Sequence, residues 1–346
     1  MKKFYFFIVL FLALTACGPQ RRVNPNPTPH PTPGPNPTPT PTPGPNPTPI
    51  PDDLYKQALA SITSGELQAS VNYLSKDCDG RGTGTPEGDK AAQYVADKFK
   101  SYGLEPFDGT NYLQSFDASG KKSANVIGII KGTTNEYIII GAHYDHLGKG
   151  FPGADDNASG TSAIIEMAEA MSKIKTYLKR SVVLVAFGAE ELGLLGSDYY
   201  ISKPAFDLKQ TGYMVNLDMV GYLRNKELEF LGAGSNSTVS NIITTLAKNY
   251  PELQPNITNS AGGGSDHVPF IQAGVPAMFL HTGLHENYHT ANDTADKINY
   301  EGLTSISKIA FEISYMLSIS SLTGTYETSW ISSEVEKDHG KEMFLK

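Results

Sequence analysis

The sequence predicts an α/β protein, a three-layer α/β/α sandwich around a central mixed, largely parallel sheet. Three observations predict it. Short apolar, β-branched runs alternate with longer helix-like segments, the pattern of strands joined by crossover helices. Ser181 to Phe187 (SVVLVAF) is apolar without a break, as a strand buried on both faces requires. Several strand-like runs are followed at once by histidines or carboxylates, and open α/β sheets bind ligands beyond the carboxyl ends of their strands.

Taken in order, Thr85 to Tyr102 reads as a helix, with Pro86 near its start and Ala92, Val95, Phe99 and Tyr102 on one stripe. Ala124 to Ile130 and Tyr137 to Gly141 are short strands. Asn157 to Ile174 is a helix and Ser181 to Phe187 the buried strand. Gly212 to Leu217 and Pro276 to His281 repeat that strand character, and helices are expected over Ser237 to Tyr250 and Tyr300 to Ser320. The folded domain is expected over residues 53–320. Residues 321–346, with the sole Trp330, show no period and read as a tail or surface wrap.

Ahead of the domain lies an address. Lys2-Lys3 and the apolar run Phe4 to Ala13 are too short for a membrane span and read as a secretory signal over residues 1–16. Leu14-Thr15-Ala16-Cys17 resembles the bacterial lipobox, which implies cleavage before Cys17, lipidation of that residue and a membrane anchor. Of the 23 prolines, 14 fall between Pro25 and Pro51. Proline at alternate positions holds an extended polyproline-II stalk, and residues 17–52 would reach on the order of 100 Å. Gly18 after the lipidated Cys fits outer-membrane sorting, so the expected place is the cell envelope. Cys78 is then left without a partner and reads as a half-buried bystander.

From Asp52 onward there are 24 Lys and Arg against all 36 Asp and Glu, a formal charge of −12. That is a poor surface for phosphate backbones, so nucleic-acid binding is excluded as a main role.

The polar residues at the strand ends converge. His143 and Asp145 follow Tyr137–Gly141, Glu190 and Glu191 follow Ser181–Phe187, and Asp218 follows Gly212–Leu217. His289 comes one loop after Pro276–His281, and Asp156 sits at the start of the helix from Asn157. Each has a plainer reading alone: His143 as a surface strand end, the Glu pair as helix-start charges, Asp156 as an N-cap. Asp155 keeps its plain reading, a loop or helix-start charge. At one sheet edge together, carboxylates and imidazoles suit a hard or borderline cation, and a metal pair needs a bridging carboxylate, ligands on each side and a base. His285-Glu-Asn-Tyr-His289 spells H-E-x-x-H, but that motif works on a helix and this window reads as loop.

In this order, GAHYDHLG (from Gly141), GADDNASG (from Gly153), FGAEELGLLGS (from Phe187), NLDMVG (from Asn216), GGSDHVPF (from Gly263) and YHTANDT (from Tyr288) resemble the double-zinc aminopeptidase family. Its relatives include leucyl aminopeptidases, glutamate carboxypeptidases and glutaminyl cyclases. Gly80 to Phe107 is similar to that family's N-terminal helix region, and the resemblance runs over about residues 55 to 320. It implies the zinc-dependent exopeptidase fold and two zinc ions per chain. His143 would bind one ion and His289 the other, Asp156 would bridge, and Glu191 and Asp218 would complete the shells. Glu190 would be the general base. Asp145 would orient the His143 ring as a carboxylate behind it, and Tyr288 would support the carbonyl oxygen. Asp266 and His267 would stand on the substrate side, and Asp293 would give support.

The activity implied is removal of N-terminal residues from peptides with a free N-terminus. A carboxypeptidase would need a cationic clamp, for which Arg81, Arg180 and Arg224 are the available arginines, Arg224 standing nearest the site in sequence. A glutaminyl cyclase or a non-catalytic, lipid-anchored binding module are the remaining alternatives.

Overall fold

The structure is a computed structural model that describes residues 49–320 and 322. The signal segment 1–16, Cys17, the stalk up to residue 48, and residues 321 and 323–346 lie outside the described residues.

Two helices open the domain, α1 (Asp52–Ser61) and α2 (Ser64–Asn72), which the sequence reading passed over. The next, α3 (Pro86–Ser101), has its ends written into the sequence. Thr85 accepts from Gly88 N, Pro86 opens the first turn, Glu87 and Asp89 favour the positive end, and Lys98 and Lys100 the negative one. The strands β1 (Glu105–Pro106), β2 (Leu113–Ala118) and β3 (Lys121–Ile130) follow. The β2–β3 hairpin turns on Ser119 and Gly120, both at positive φ, which suits the right-handed twist of the strands. Then come β4 (Tyr137–His143), α4 (Gly160–Lys173), β5 (Ser181–Phe187), α5 (Leu195–Ser202) and β6 (Thr211–Leu217). The chain closes with β7 (Glu227–Leu231), α6 (Ser237–Leu246), β8 (Gln254–Ile257), α7 (His267–Gln272), β9 (Ala277–His281) and α8 (Tyr300–Ile319).

The strands form one sheet in the order β1-β3-β5-β4-β6-β9-β7-β8, with β2 on β3. Its centre, β5-β4-β6-β9, is parallel, and antiparallel pairs flank it at β3/β5 and β7/β9. Alternate residues of each central strand pack oppositely. Ile138, Ile140, Val182, Leu184 and Val215 join a large core under α1, α2, α3, α4, α6 and α8. Ile139, Val183, Val185 and Met214 join a smaller one with Tyr200 of α5 and Phe270 of α7. That is a three-layer sandwich with a mixed sheet, parallel where it matters for the site. No helix among the described residues is long and apolar enough to cross a membrane. Cys78 is fully buried in the larger core rather than half-buried, and burial pushes its thiol up to about 11.

Register sets the next step. His143 pairs with Phe187 at the ends of β4 and β5, and Leu217 with Leu280 at the ends of β6 and β9. Four carboxyl ends therefore finish level, and the loops leaving them share one edge. At Gly141 in β4 a Cβ would lie 2.6 Å from the Phe187 ring, so a glycine lets these strand ends pack closely.

Candidate metal centre

Every ligand expected from the sequence arrives at that edge. His143 is the last residue of β4, Glu190 and Glu191 begin a short turn after β5, Asp218 follows β6, and His289 stands in the loop after β9. The one misplaced expectation is the start of α4. Asp156 does not lie beside a helix running from Asn157. It sits in an irregular turn, Ala154–Ser159, with non-helical backbone at Asp156 and Asn157, and α4 begins at Gly160. The turn aims the carboxylate back toward the strand ends. Backbone in the left-handed region recurs here in non-glycine residues, at Ala189, Met219 and His289, as functional sites tend to hold it.

Asp156 divides the cluster in two. Its Oδ1 lies 3.3 Å from His143 Nε2, which is 3.3 Å from Asp218 Oδ1. Its Oδ2 lies 3.1 Å from His289 Nε2, which is 3.2 Å from Glu191 Oε2. Despite that approach, the buried Oδ2 takes part in no hydrogen bond. His143 Nε2 and Asp218 Oδ1 are hydrogen-bonded, but a buried carboxylate oxygen left without a hydrogen bond among imidazoles and carboxylates fits a cation held between them, since buried charge otherwise goes uncompensated. His143, Asp156 and Asp218 have ligand atoms near enough together to share one ion. Two imidazoles and three carboxylates suit zinc, though the atoms alone would also suit manganese or cobalt.

The charges are mutually set. Burial alone would lower His143, but Glu190, Asp218 and Asp156 raise it well above its ordinary value. Against burial, Asp156 and Glu191 hold His289 up at about 10. Burial would raise Asp156, but His143 and His289 take it well below the carboxylate range. Glu190 moves the other way: burial, with Glu191, Asp266 and Asp218 nearby, raises it well above 4.5.

The surrounding residues differ more from expectation. Asp145 does not orient the His143 ring through its carboxylate, whose Oδ1 is 3.8 Å from Nδ1. The Asp145 carbonyl does that at 3.2 Å, while its carboxylate accepts Glu190 N–H at 3.0 Å and the Thr83 hydroxyl at 3.0 Å. Asp145 thus fixes the backbone of the expected base. Asp266 and His267 are both fully buried, and His267 spends Nε2 on the Ala261 carbonyl, 3.0 Å away, while stacking on Phe279. They form wall rather than a surface offered to substrate. Burial takes Asp266 up to about 7 and His267 down to about 4. Tyr288 is half exposed and stacks on the His289 ring. Its hydroxyl is pushed well above the usual tyrosine range by burial and then by Asp156, Glu191, Asp218 and Glu190.

Asp155, given the plain reading, is fully buried and structural. Its Oδ1 accepts Gly221 N–H at 2.7 Å and its Oδ2 lies 3.1 Å from His285 Nε2. Asp293 accepts the N–H groups of Asp155 and Asp156, tying the bridging turn to the loop of His289. His285 lies outside any helix, stacked on Tyr222, so the H-E-x-x-H spelling carries no zincin chemistry. One residue was missed, and another, Arg81, was named only as an available clamp. His146 is buried with Nδ1 2.7 Å from Glu191 Oε1; the only trace in the sequence is a second histidine three beyond His143. Arg81 is fully buried and donates to the carbonyls of Leu74, Tyr144, Pro152, Gly153 and Asp156.

Residues 125–314, more than half the chain, match the sequence model of peptidase family M28. The chain belongs to peptidase family M28. Among curated relatives it is 34% identical over 220 residues to aminopeptidase YwaD of Bacillus subtilis, covering 58% of this chain and 48% of that one. It is 30% identical over 241 residues to leupeptin-inactivating enzyme 1 of Streptomyces exfoliatus, covering 68% and 50%. The chain therefore spans about half the length of these two relatives. Among solved structures it resembles BSAP, a zinc aminopeptidase from Bacillus subtilis, with TM-score 0.65, 20% identity and coverage of 77% of this chain and 98% of that one. That likeness is one of fold. For this M28 chain the parallel strand ends and the divided cluster put the candidate metal centre at one sheet edge, within the matched residues.

Proposed function

We propose that this chain is a metal-dependent aminopeptidase with a two-zinc centre, releasing the first residue of peptides with a free N-terminus. The observation that carries the reading is the division of five ligands across the two oxygens of Asp156: His143 and Asp218 on one side, His289 and Glu191 on the other. Two bound zinc ions would polarise the scissile carbonyl and acidify the attacking water.

The rest falls to side chains. Glu190, held by Asp145 through its backbone N–H and raised by burial above the usual carboxylate range, takes a proton from the attacking water and returns it to the leaving amine. Tyr288 keeps its proton and so can donate to the oxygen of the scissile carbonyl. Carboxylates close to the metal pair suit the cationic ammonium group of a peptide N-terminus. The carboxypeptidase reading is the less supported, because the arginines have other partners. Arg81 is buried on carbonyls, Arg180 holds Leu317 and Ser320 carbonyls with Glu136, and Arg224 Nη2 holds those of Thr282, Gly283 and Leu284. The envelope location stays part of the proposal and rests on the lipobox at Cys17 and the proline-rich stalk.

The test compares a short free peptide with its N-acetylated twin, before and after chelation. Cleavage of the free peptide alone, one residue from the front and abolished by chelator, is expected. Equal cleavage of both from the rear would replace the reading with a carboxypeptidase.

A further inference from the structure

We propose that His146 is a positioning residue of the metal centre: its Nδ1–H holds Glu191 Oε1, so that Glu191 presents a single oxygen, Oε2, to the metal. The assignment rests on the two-metal reading above.

The two oxygens of Glu191 have different neighbours. Oε1 is 2.7 Å from His146 Nδ1, and Oε2 is 3.2 Å from His289 Nε2. His146 Nδ1 is also 3.9 Å from Asp156 Oδ2, near enough to sense the bridging carboxylate but beyond bonding it. The contact with Oε1 places the ring proton on Nδ1, and that proton makes the nitrogen a donor rather than a ligand. Nε2, at the far side of the ring, is buried without a partner, so nothing there competes for the proton.

The ring has little freedom to do anything else. Gly153, at φ +57, lies against it so closely that a Cβ would stand 2.5 Å from Cδ2 and 2.6 Å from Cγ. The main-chain N–H of His146 is tied to the Arg81 carbonyl at 3.3 Å, and its ring edge meets the His289 ring with centroids 5.9 Å apart. A carboxylate with one oxygen engaged by an N–H is kept from closing both oxygens onto one ion. That preserves the open position a catalytic centre needs for substrate.

The test uses the full-length chain, stripped of metal, with His146→Phe and His146→Asn. Phenylalanine keeps the ring volume and removes the donor; asparagine keeps an N–H donor at the branch position of Nδ1. Zinc titration should show two ions in the wild type. His146→Phe should lose 10–100-fold in affinity at one site with the other unchanged, the usual scale for loss of such a partner. Cobalt substituted at that site should show an altered visible spectrum, and His146→Asn should regain most of both. Wild-type affinities in the Phe variant would overturn the proposal, as would equal losses in both variants or X-ray absorption counting three imidazoles on the pair. A wild type that binds two ions, shows this pattern and cleaves no peptide would sink the proposed activity and leave His146 assigned. One that binds fewer than two would end both.

Discussion

Glu190 and Glu191 are neighbours in the chain with opposite electrostatic fates, and the difference can be measured. Replacing Glu190 by Gln leaves all five proposed ligands in place. The variant should retain both metals by elemental analysis and lose 10²–10⁴-fold in kcat, the scale of a general base. Asp293→Ala removes the acceptor for two N–H groups of the bridging turn; it should bind metal more weakly while the far-UV circular dichroism stays unchanged. At this scale the sequence was legible where a polar residue directly followed an apolar run, which is how His143, Glu190, Glu191 and Asp218 stood out. Asp155 and His146 were not legible, because their work is done through loops and depends on which backbone lies across from them. Asp145 was placed but misread, since spacing cannot tell whether a carbonyl or a carboxylate faces a ring.

Among the elements, β5 was found to the residue because burial on both faces leaves an unbroken apolar run, and β3, β4, β6 and β9 nearly so. The edge strand β8, its neighbour β7 and the short helices α5 and α7 were passed over; half-exposed or brief, they carry too few turns or alternations for a period. The longer α4 hides a feature the apolar pattern conceals. Glu166 is fully buried there with neither carboxylate oxygen hydrogen-bonded, and burial, reinforced by Glu169 and Glu66, raises it to about 8. Folded, it keeps its proton until about pH 8; unfolded, it loses it near its ordinary 4.5. Between those values the fold binds more protons, so the contribution of Glu166 is full below pH 4.5 and falls away as pH rises toward 8. Denaturant titrations should show the wild type losing on the order of a few kcal/mol over that window, and Glu166→Gln should flatten the slope. An unchanged slope would remove Glu166 as its source.

For the molecule as a whole, the site gathers four carboxylates and two principal imidazoles at one edge, so an occupying dication should stabilise the fold by mass action. A zinc concentration a hundredfold above Kd contributes about 2.7 kcal/mol, which should raise Tm by several degrees, reversed by chelator. The architecture and the site's location were both readable, because a parallel sheet delivers its strand ends to one side whatever the loops do. What holds the loops in place was not, since those bonds run from side chains to distant carbonyls and leave no pattern in sequence.

Arg81 constrains how far the chain can be trimmed. Its guanidinium joins carbonyls from Leu74 to Asp156 and lies 44 residues before the family match begins at residue 125. A fragment cut to that match, 125–314, would contain all five expected ligands and none of the keystone behind them. The boundary of recognisable ancestry and the boundary of the working machine are therefore different, and a fragment that keeps this tie must reach back past α3 to Leu74.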